Sequence, residues 1–149
     1  MAALPTAVTI VSAAGPGGPA GATANAVASL SLRPPLIVAC LDRRSRTLGV
    51  LRESGGFGIS VLASDQVELA LGFATKAAHD EKWHEVGHAV RDGVPVLEGA
   101  VVWAACELRS LHDGGDHEIA VGEVFELGGD GGDPLVFHRG RYRPLDPET

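Results

Sequence analysis

A mainly β, antiparallel barrel with two or three short flanking helices is the fold class this sequence predicts, and three observations predict it. Gly (20) and Pro (9) together make 29 of the 149 residues, an excess that favours short strands joined by turns over a helical bundle. Strand-like apolar runs recur seven times along the chain, whereas only two windows carry helical spacing. Hydrophobic residues at 45% against charged residues at 21% supply an ordinary core and exclude a disordered chain.

The first run, Ala7 to Ala13 (AVTIVSA), is β-branched and short, and the following GPGGPAG cannot continue any element. That stretch superficially fits a dinucleotide fingerprint, but the fingerprint must open a helix and here two prolines and more strand-like sequence follow. Further strands are expected at Gly21 to Leu30, Leu36 to Leu41, Phe57 to Leu62, Val101 to Leu111, His117 to Leu127, and Leu135 to Arg143 around a turn at Arg139-Gly140. A first helix is expected through Thr47, Leu48, Leu51 and Arg52, capped by Ser45 and stopped by Gly55-Gly56. A second is marked by a capping pair, Asp65 with Glu68, and by Val67, Ala70, Leu71 and Ala74 at i, i+3, i+4, i+7. Lys76 to Val94 is polar, His-rich and aperiodic, and reads as a long surface loop. No internal repeat appears, so residues 1–149 are expected to form one domain.

A net charge of −7, with a basic run only at Arg43, Arg44 and Arg46, argues against a nucleic-acid partner. No apolar run approaches the ~20 residues that span a bilayer, and the N-terminus lacks the basic-then-apolar design of a signal peptide. No membrane association is expected, and the chain reads as cytoplasmic. Cys40 and Cys106 sit singly in the apolar stretches IVACL and WAACEL, as small core residues rather than a redox pair or metal site.

Two constellations carry chemistry. His84-Glu85-Val86-Gly87-His88 matches HExxH, in which two histidines at i and i+4 of a helix bind zinc and the Glu polarises water. Its setting is wrong for a zinc helix: charged residues precede it, Gly87 lies inside it, and Arg91-Asp92-Gly93 with Pro95 end it early. Hence no metal is expected, and His79, His84 and His88 read as solvated loop residues, with a zinc hydrolase kept only as the lesser alternative. The second constellation begins with Thr23-Ala24-Asn25-Ala26, small residues in a strand that lets a flat ring approach the backbone. Asp42-Arg43-Arg44-Ser45-Arg46-Thr47 follows at the mouth of a helix, where free N–H groups and the helix dipole favour an anion such as a phosphate.

In this order, AVTIVSA, GATANAVASLSLRPPLIVACLDRRSRTLGVLRESGGFGISVLASDQVELALGFATK, GVPVLEGAVVWAACEL, HDGGDHEIAVGEV and PLVFHRGRYRPL, the chain resembles the flavin-reductase-like proteins. These are reductase components of two-component flavin-dependent monooxygenases with the FMN-binding split-barrel fold, an antiparallel barrel of Greek-key type. The resemblance implies an NAD(P)H-dependent flavin reductase that reduces FMN or FAD with NADH or NADPH and passes the reduced flavin to a separate monooxygenase. It also implies a homodimer with each flavin near the subunit interface. A non-catalytic flavin-binding split-barrel protein is the alternative within the same fold. Carried over by residue, the resemblance puts Thr23, Ala24, Asn25 and Ala26 at the isoalloxazine, with Ser29 close by. Cys40, Leu41 and Asp42 would lie along the ribityl chain, and Ser45, Arg46 and Thr47 at the phosphate. Phe73 and Lys76 complete the pocket, Lys76 supplying positive charge, and His117 stands near the nicotinamide as the catalytic residue. Tyr142 and His138 would line the partner subunit's side. Ala22 and Ala26 depart from the Met and Ser usual in the family at those positions.

Overall fold

The computed structural model describes residues 2–76 and 79–145 of the chain. In chain order the elements are β1 (Thr6–Ala7), β2 (Thr9–Gly15), β3 (Gly18–Ala24), β4 (Val27–Leu32), β5 (Pro35–Asp42), α1 (Arg46–Ser54), β6 (Gly56–Val61) and α2 (Val67–Ala74). They continue with α3 (His79–Trp83), β7 (His88–Arg91), β8 (Val94–Leu97), β9 (Val102–Gly114), β10 (His117–Gly128), β11 (Leu135–His138) and β12 (Arg141–Pro144). Seven strands form one antiparallel sheet in the order β3-β2-β6-β9-β10-β5-β4. A second sheet, β1-β11-β12, and a hairpin, β7-β8, complete the fold.

The expected continuous strand from Gly21 to Leu30 is two strands, and the reason is topological. β3 runs along β2 until Thr9 meets Ala24, where β2 has no more chain to offer, and β4 starts against the opposite edge with Val27 facing Ala39. The two edge strands of the sheet are therefore consecutive in sequence and joined only through Asn25 and Ala26. The Ala26 carbonyl accepts the Cys40 N–H at 2.9 Å, which holds this crossing against β5.

Two large buried clusters pack on the sheet, beside a small one of Val94, Val96 and Ala105. One contains Val11, Leu41, Leu48, Leu51, Phe57, Ile59 and Cys106, so α1 contributes its Leu48 and Leu51 face to it. Burial of each such side chain is worth roughly 1.5–3 kcal/mol. Gly55, at φ 74°, ends α1 by donating its N–H to the Leu51 carbonyl, a left-handed cap that glycine adopts without strain. Ser45 occupies the N-cap position as expected, but its hydroxyl makes no capping hydrogen bond. The other cluster joins Val8, Ile10, Leu62, Phe73, Trp83, Leu97 and Leu135 beneath α2 and α3.

Three sequence expectations are corrected here. The Asp65–Glu68 pair does not cap α2: Gln66 is the N-cap residue, and its side chain accepts the Ala63 N–H and donates to the Glu98 carbonyl. Leu71 is exposed, because the buried face of α2 is carried by Ala70 and Phe73. The loop expected from Lys76 to Val94 holds α3 and the start of the β7-β8 hairpin, anchored by buried Trp83, Val94 and Val96. Asp92 (φ 46°) and Gly93 (φ 82°) form the turn of that hairpin, an Asp-Gly signal present in the sequence. The Ser12 hydroxyl donates to the Pro95 carbonyl and the Ser60 hydroxyl accepts the Leu97 N–H, so buried polar groups seat β8 against the large sheet.

Gly122 is one of the closely packed points of the sheet. A Cβ built there would meet Phe57 Cζ at 2.5 Å and Cys106 Cβ at 2.8 Å. Gly122→Ala is expected to lower the unfolding free energy by about 1–3 kcal/mol through overpacking, measured by denaturant titration.

Candidate functional site

The crossing between β3 and β4 opens one side of a crevice of about 440 Å³, within the range of small-molecule sites. Ala22, Thr23, Ala24, Asn25 and Ala26 form one wall, Cys40, Leu41, Asp42 and Ser45 the next, and His117 stands at its rim. Ala74 at the end of α2, with Phe137 and Tyr142 from the β11-β12 hairpin, closes it. Small side chains make the first wall, so the backbone of the crossing is within reach of a ligand. Among the described residues the Asn25 amide has no hydrogen-bond partner, which leaves it able to donate and accept. Thr23 differs: its hydroxyl donates to the Ala70 carbonyl at 2.6 Å, which pins α2 to β3 and commits that oxygen.

His117 opens β10 and lies opposite Asp42 on β5. Its Nδ1 is 2.7 Å from Asp116 Oδ1, a contact in which the carboxylate accepts and Nδ1 carries the proton. Asp42 in turn takes the Arg44 backbone N–H and a two-pronged contact from the Arg44 guanidinium. The Arg44 side chain, then its backbone N–H, hold the Asp42 carboxyl far below the ordinary 3.8, and His117 adds to the same effect. Arg43 binds the other side of this rim, donating to the Gly115 carbonyl, to Glu118 and to Asp113. Arg52 of α1 meets the same Glu118. Glu118 therefore ties the β5-α1 turn, which carries Asp42 and Ser45, to the strand that carries His117.

The mouth of the crevice is electropositive. α1 has no acidic residue in its first turn, and the Ser45 hydroxyl leaves the terminal N–H groups uncapped, a setting that favours an anion. Arg46 is exposed and has no ion pair among the described residues. The Lys82 ammonium on α3 lies 3.3 Å from the Phe73 carbonyl and 3.5 Å from that of Gly21. Burial, and then repulsion from Arg46, lower the Lys82 pKa.

Of the residues singled out from sequence, Thr23, Ala24, Asn25, Ala26, Cys40, Leu41, Asp42, Ser45 and His117 come together at this crevice. Five do not line it. Ser29 is exposed on edge strand β4, Thr47 is buried under α1, and Arg46 stands at the mouth. Phe73 is turned into the second cluster, 5.1 Å from the Trp83 ring, because α2 buries that face. Lys76 is exposed beyond α2, and Lys82 on α3 is the lysine whose ammonium feels the charge of Arg46. Tyr142 lines the chain's own crevice, whereas His138 does not. Cys40 is half-buried at the crevice and so is no core residue; Cys106 is one, and burial pushes its thiol up to about 12. Phe137 and Ala74 were missed, since their positions follow from tertiary packing alone.

HEVGH does not build a zinc site. α3 ends at Trp83, Glu85 has φ 60°, and His88 begins β7 with its ring 4.8 Å from Trp83 and its Nδ1 3.0 Å from the Val86 carbonyl. The two imidazoles therefore do not share a helix face. His84 is exposed, and the side chain of His79 lies outside the described residues.

The family model described as "Flavin reductase like domain" matches residues 1–146. The chain belongs to the flavin-reductase-like family. Among its relatives, an NADH-dependent flavin reductase of a Rhodococcus species is 45% identical over 126 residues, covering 85% of this chain and 70% of the relative. The reductase component of 4-nitrophenol 4-monooxygenase/4-nitrocatechol 2-monooxygenase of Rhodococcus opacus is 39% identical, covering 94% of this chain and 75% of that one. Among solved structures, the Streptomyces globisporus C-1027 NADH:FAD oxidoreductase SgcE6, in complex with NAD and FAD fragments, superposes with a TM-score of 0.91 at 32% identity, over 98% of this chain and 88% of that one. The barrel fold expected from the sequence is thus that of flavin reductases of this family, with three short helices among the described residues where two or three were expected.

The rim makes a prediction. A carboxyl held low in the folded state contributes stability above its unfolded value and loses it as pH falls through the folded value. Asp42 therefore supports the fold at neutral pH and withdraws that support only in strong acid. In the Arg44→Ala variant its NMR titration is expected to return towards 3.8, the Asp42 carboxyl signal moving at a higher pH than in the parent.

Proposed function

We propose that the chain is an NADH-dependent flavin reductase that reduces FMN or FAD in the crevice beside the β3-β4 crossing and passes the reduced flavin to a separate monooxygenase. Its relatives are named NADH-dependent flavin reductase and monooxygenase reductase component, and the observation that carries the reading is the joining of that crevice to an anion-favouring mouth. The residues present fit a flavin. Ala22, Ala24 and Ala26 leave room for a flat ring, Asn25 keeps an uncommitted amide, and Ser45, Arg46 and Lys82 surround the uncapped start of α1. When bound, the flavin supplies the two-electron chemistry, so the protein needs no nucleophile or paired carboxylates.

What this chain's own residues do is bind, orient and shield. The wall from Thr23 to Ala26 receives the ring, and the stretch from Cys40 to Asp42 runs beside the sugar-alcohol tail. Ser45 and Arg46, with Lys82 in place of Lys76, meet the phosphate, charge-assisted contacts being the stronger kind. His117, its Nδ1 proton given to Asp116, offers Nε2 at the rim to steady the nicotinamide of NADH. Glu118, bridged by Arg43 and Arg52, keeps that rim in register with α1. The zinc-hydrolase alternative has no support in the geometry of HEVGH.

A homodimer belongs to this reading, and the exposed Leu30, Leu32, Phe125 and Leu127 support it by offering apolar surface to a second copy. Among the described residues no helix is long and apolar enough to cross a membrane. We place the protein in the cytoplasm.

Stopped-flow mixing of protein, NADH and FMN or FAD is expected to bleach the oxidised flavin band faster than the protein-free control; equal rates would refute the reading. His117→Ala is expected to lower that rate or raise the KM for NADH while leaving the flavin Kd within about two-fold. Lys82→Met is expected to weaken FMN about ten-fold and riboflavin hardly at all, read by equilibrium titration. The sign of the pH effect follows: an anion binds the charged lysine, so FMN affinity should fall as pH rises through the lowered Lys82 value, starting below the ordinary lysine range of 10.5, while riboflavin affinity stays level.

A further inference from the structure

At the other end of α1 from the crevice lies a second pocket, of about 460 Å³. Ser54 and Gly55 close the helix there, the Asp92-Gly93 turn of the β7-β8 hairpin forms one lip, and Glu107 and Phe125 stand on the sheet beside it. A helix C-terminus carries partial negative charge, and Arg52, the basic residue of the last turn, is drawn away to Glu118 at 2.8 Å. Asp92 has no ion pair among the described residues. Glu107 holds Arg109 loosely at 3.4 Å, while that guanidinium lies 2.6 Å from Glu123. The pocket therefore invites a cation, and the exposed Phe125 ring gives its apolar stem a surface to lie on.

A group of the opposite sign projects from the same end of the sheet. Leu36 on β5 faces Glu123 of β10 on one side and Ser31 of β4 on the other, so the β4-β5 turn and Phe125 lie past the same ends of three adjacent strands. At that turn Leu32 is 85% exposed, more than any other large hydrophobic side chain among the described residues, and Arg33 next to it is exposed with no ion pair among them. We propose that the Leu32-Arg33 tip of one copy seats in the acidic pocket of a second copy, Arg33 against Asp92 and Glu107 and Leu32 against Phe125, and that the second copy returns the same contact. Tip and pocket sit side by side on one surface, which is what a two-fold contact requires: each is answered by the other, and the pair closes. The inference rests on the homodimer of the reductase reading and names the surfaces that meet. It accounts together for an apolar side chain left in water, a cation without a partner and a pocket of uncompensated acids.

The test is sedimentation of the full chain, its Arg33→Glu variant, its Glu107→Arg variant and an equimolar mixture of the two, over a range of concentrations. The parent is expected to be a dimer, and each variant alone to raise the dimer Kd about 10- to 100-fold, because like charges then meet in both contacts. The mixture is expected to recover the dimer, since one of its contacts is native and the other has its charges exchanged. A merely structural role for either residue gives no such recovery. If the parent is a dimer and neither variant weakens it, or both weaken it and the mixture does not recover, the tip-in-pocket assignment is overturned while the homodimer stands. Oligomers that lengthen with concentration overturn the reciprocal contact. A monomeric parent overturns both the assignment and the homodimer, and leaves the flavin chemistry to the stopped-flow assay. Should a charge variant lose its circular dichroism spectrum, Leu32→Ser decides: a raised dimer Kd supports the assignment and an unchanged one overturns it.

Discussion

Two edge strands joined by only two residues oblige the sheet to curl until its edges lie near each other without pairing, and this one constraint organises the molecule. The chain must cross from one edge to the other in two residues, and there Asn25 and Ala26 leave the ladder between β2 and β5. Backbone groups outside a ladder need other partners. One is supplied by the Cys40 N–H, and the rest face a crevice instead of a neighbouring strand. The crevice is in this sense the seam of the fold, and small residues line it there.

The electrostatics follow from the same seam. A chain of net charge −7 still carries basic groups near the start of α1, where Arg46 and Lys82 are close enough to repel each other. The nearby acids are occupied elsewhere: Asp42 by Arg44, Asp113 and Glu118 by Arg43. Burial, and after it the like charge of Arg46, lower the Lys82 pKa, and a bound anion would ease the second of these effects. Global acidity and a local anion mouth are compatible because screening confines each to about a Debye length.

Much of this was legible in the residues. Period-two runs such as AVTIVSA and the glycine stop after Arg52 placed strands and α1 correctly, since those signals are local. The grouping of residues 23–26, 40–42, 45 and 117 came from resemblance to a family; spacing alone says only that small residues and a basic run exist. The break at Asn25 was invisible because GATANAVASL has no local breaker: only the lack of a strand partner ends β3. α3 and the β7-β8 hairpin were hidden by polar composition, although Asp92-Gly93 announced a turn, since one Trp83 and two valines suffice to bury them. Lys82 was not singled out from the sequence, because only the packing of α3 brings its ammonium within reach of the Arg46 charge.

The two walls of the crevice rest on different cores. The stretch around Leu41 is rooted in the cluster of Leu48, Leu51 and Phe57, while the hairpin of Phe137 and Tyr142 is rooted in that of Phe73, Trp83 and Leu135. Substitutions at well-separated sites act nearly independently. Natural drift can therefore retailor one bank of the channel while the other keeps its shape.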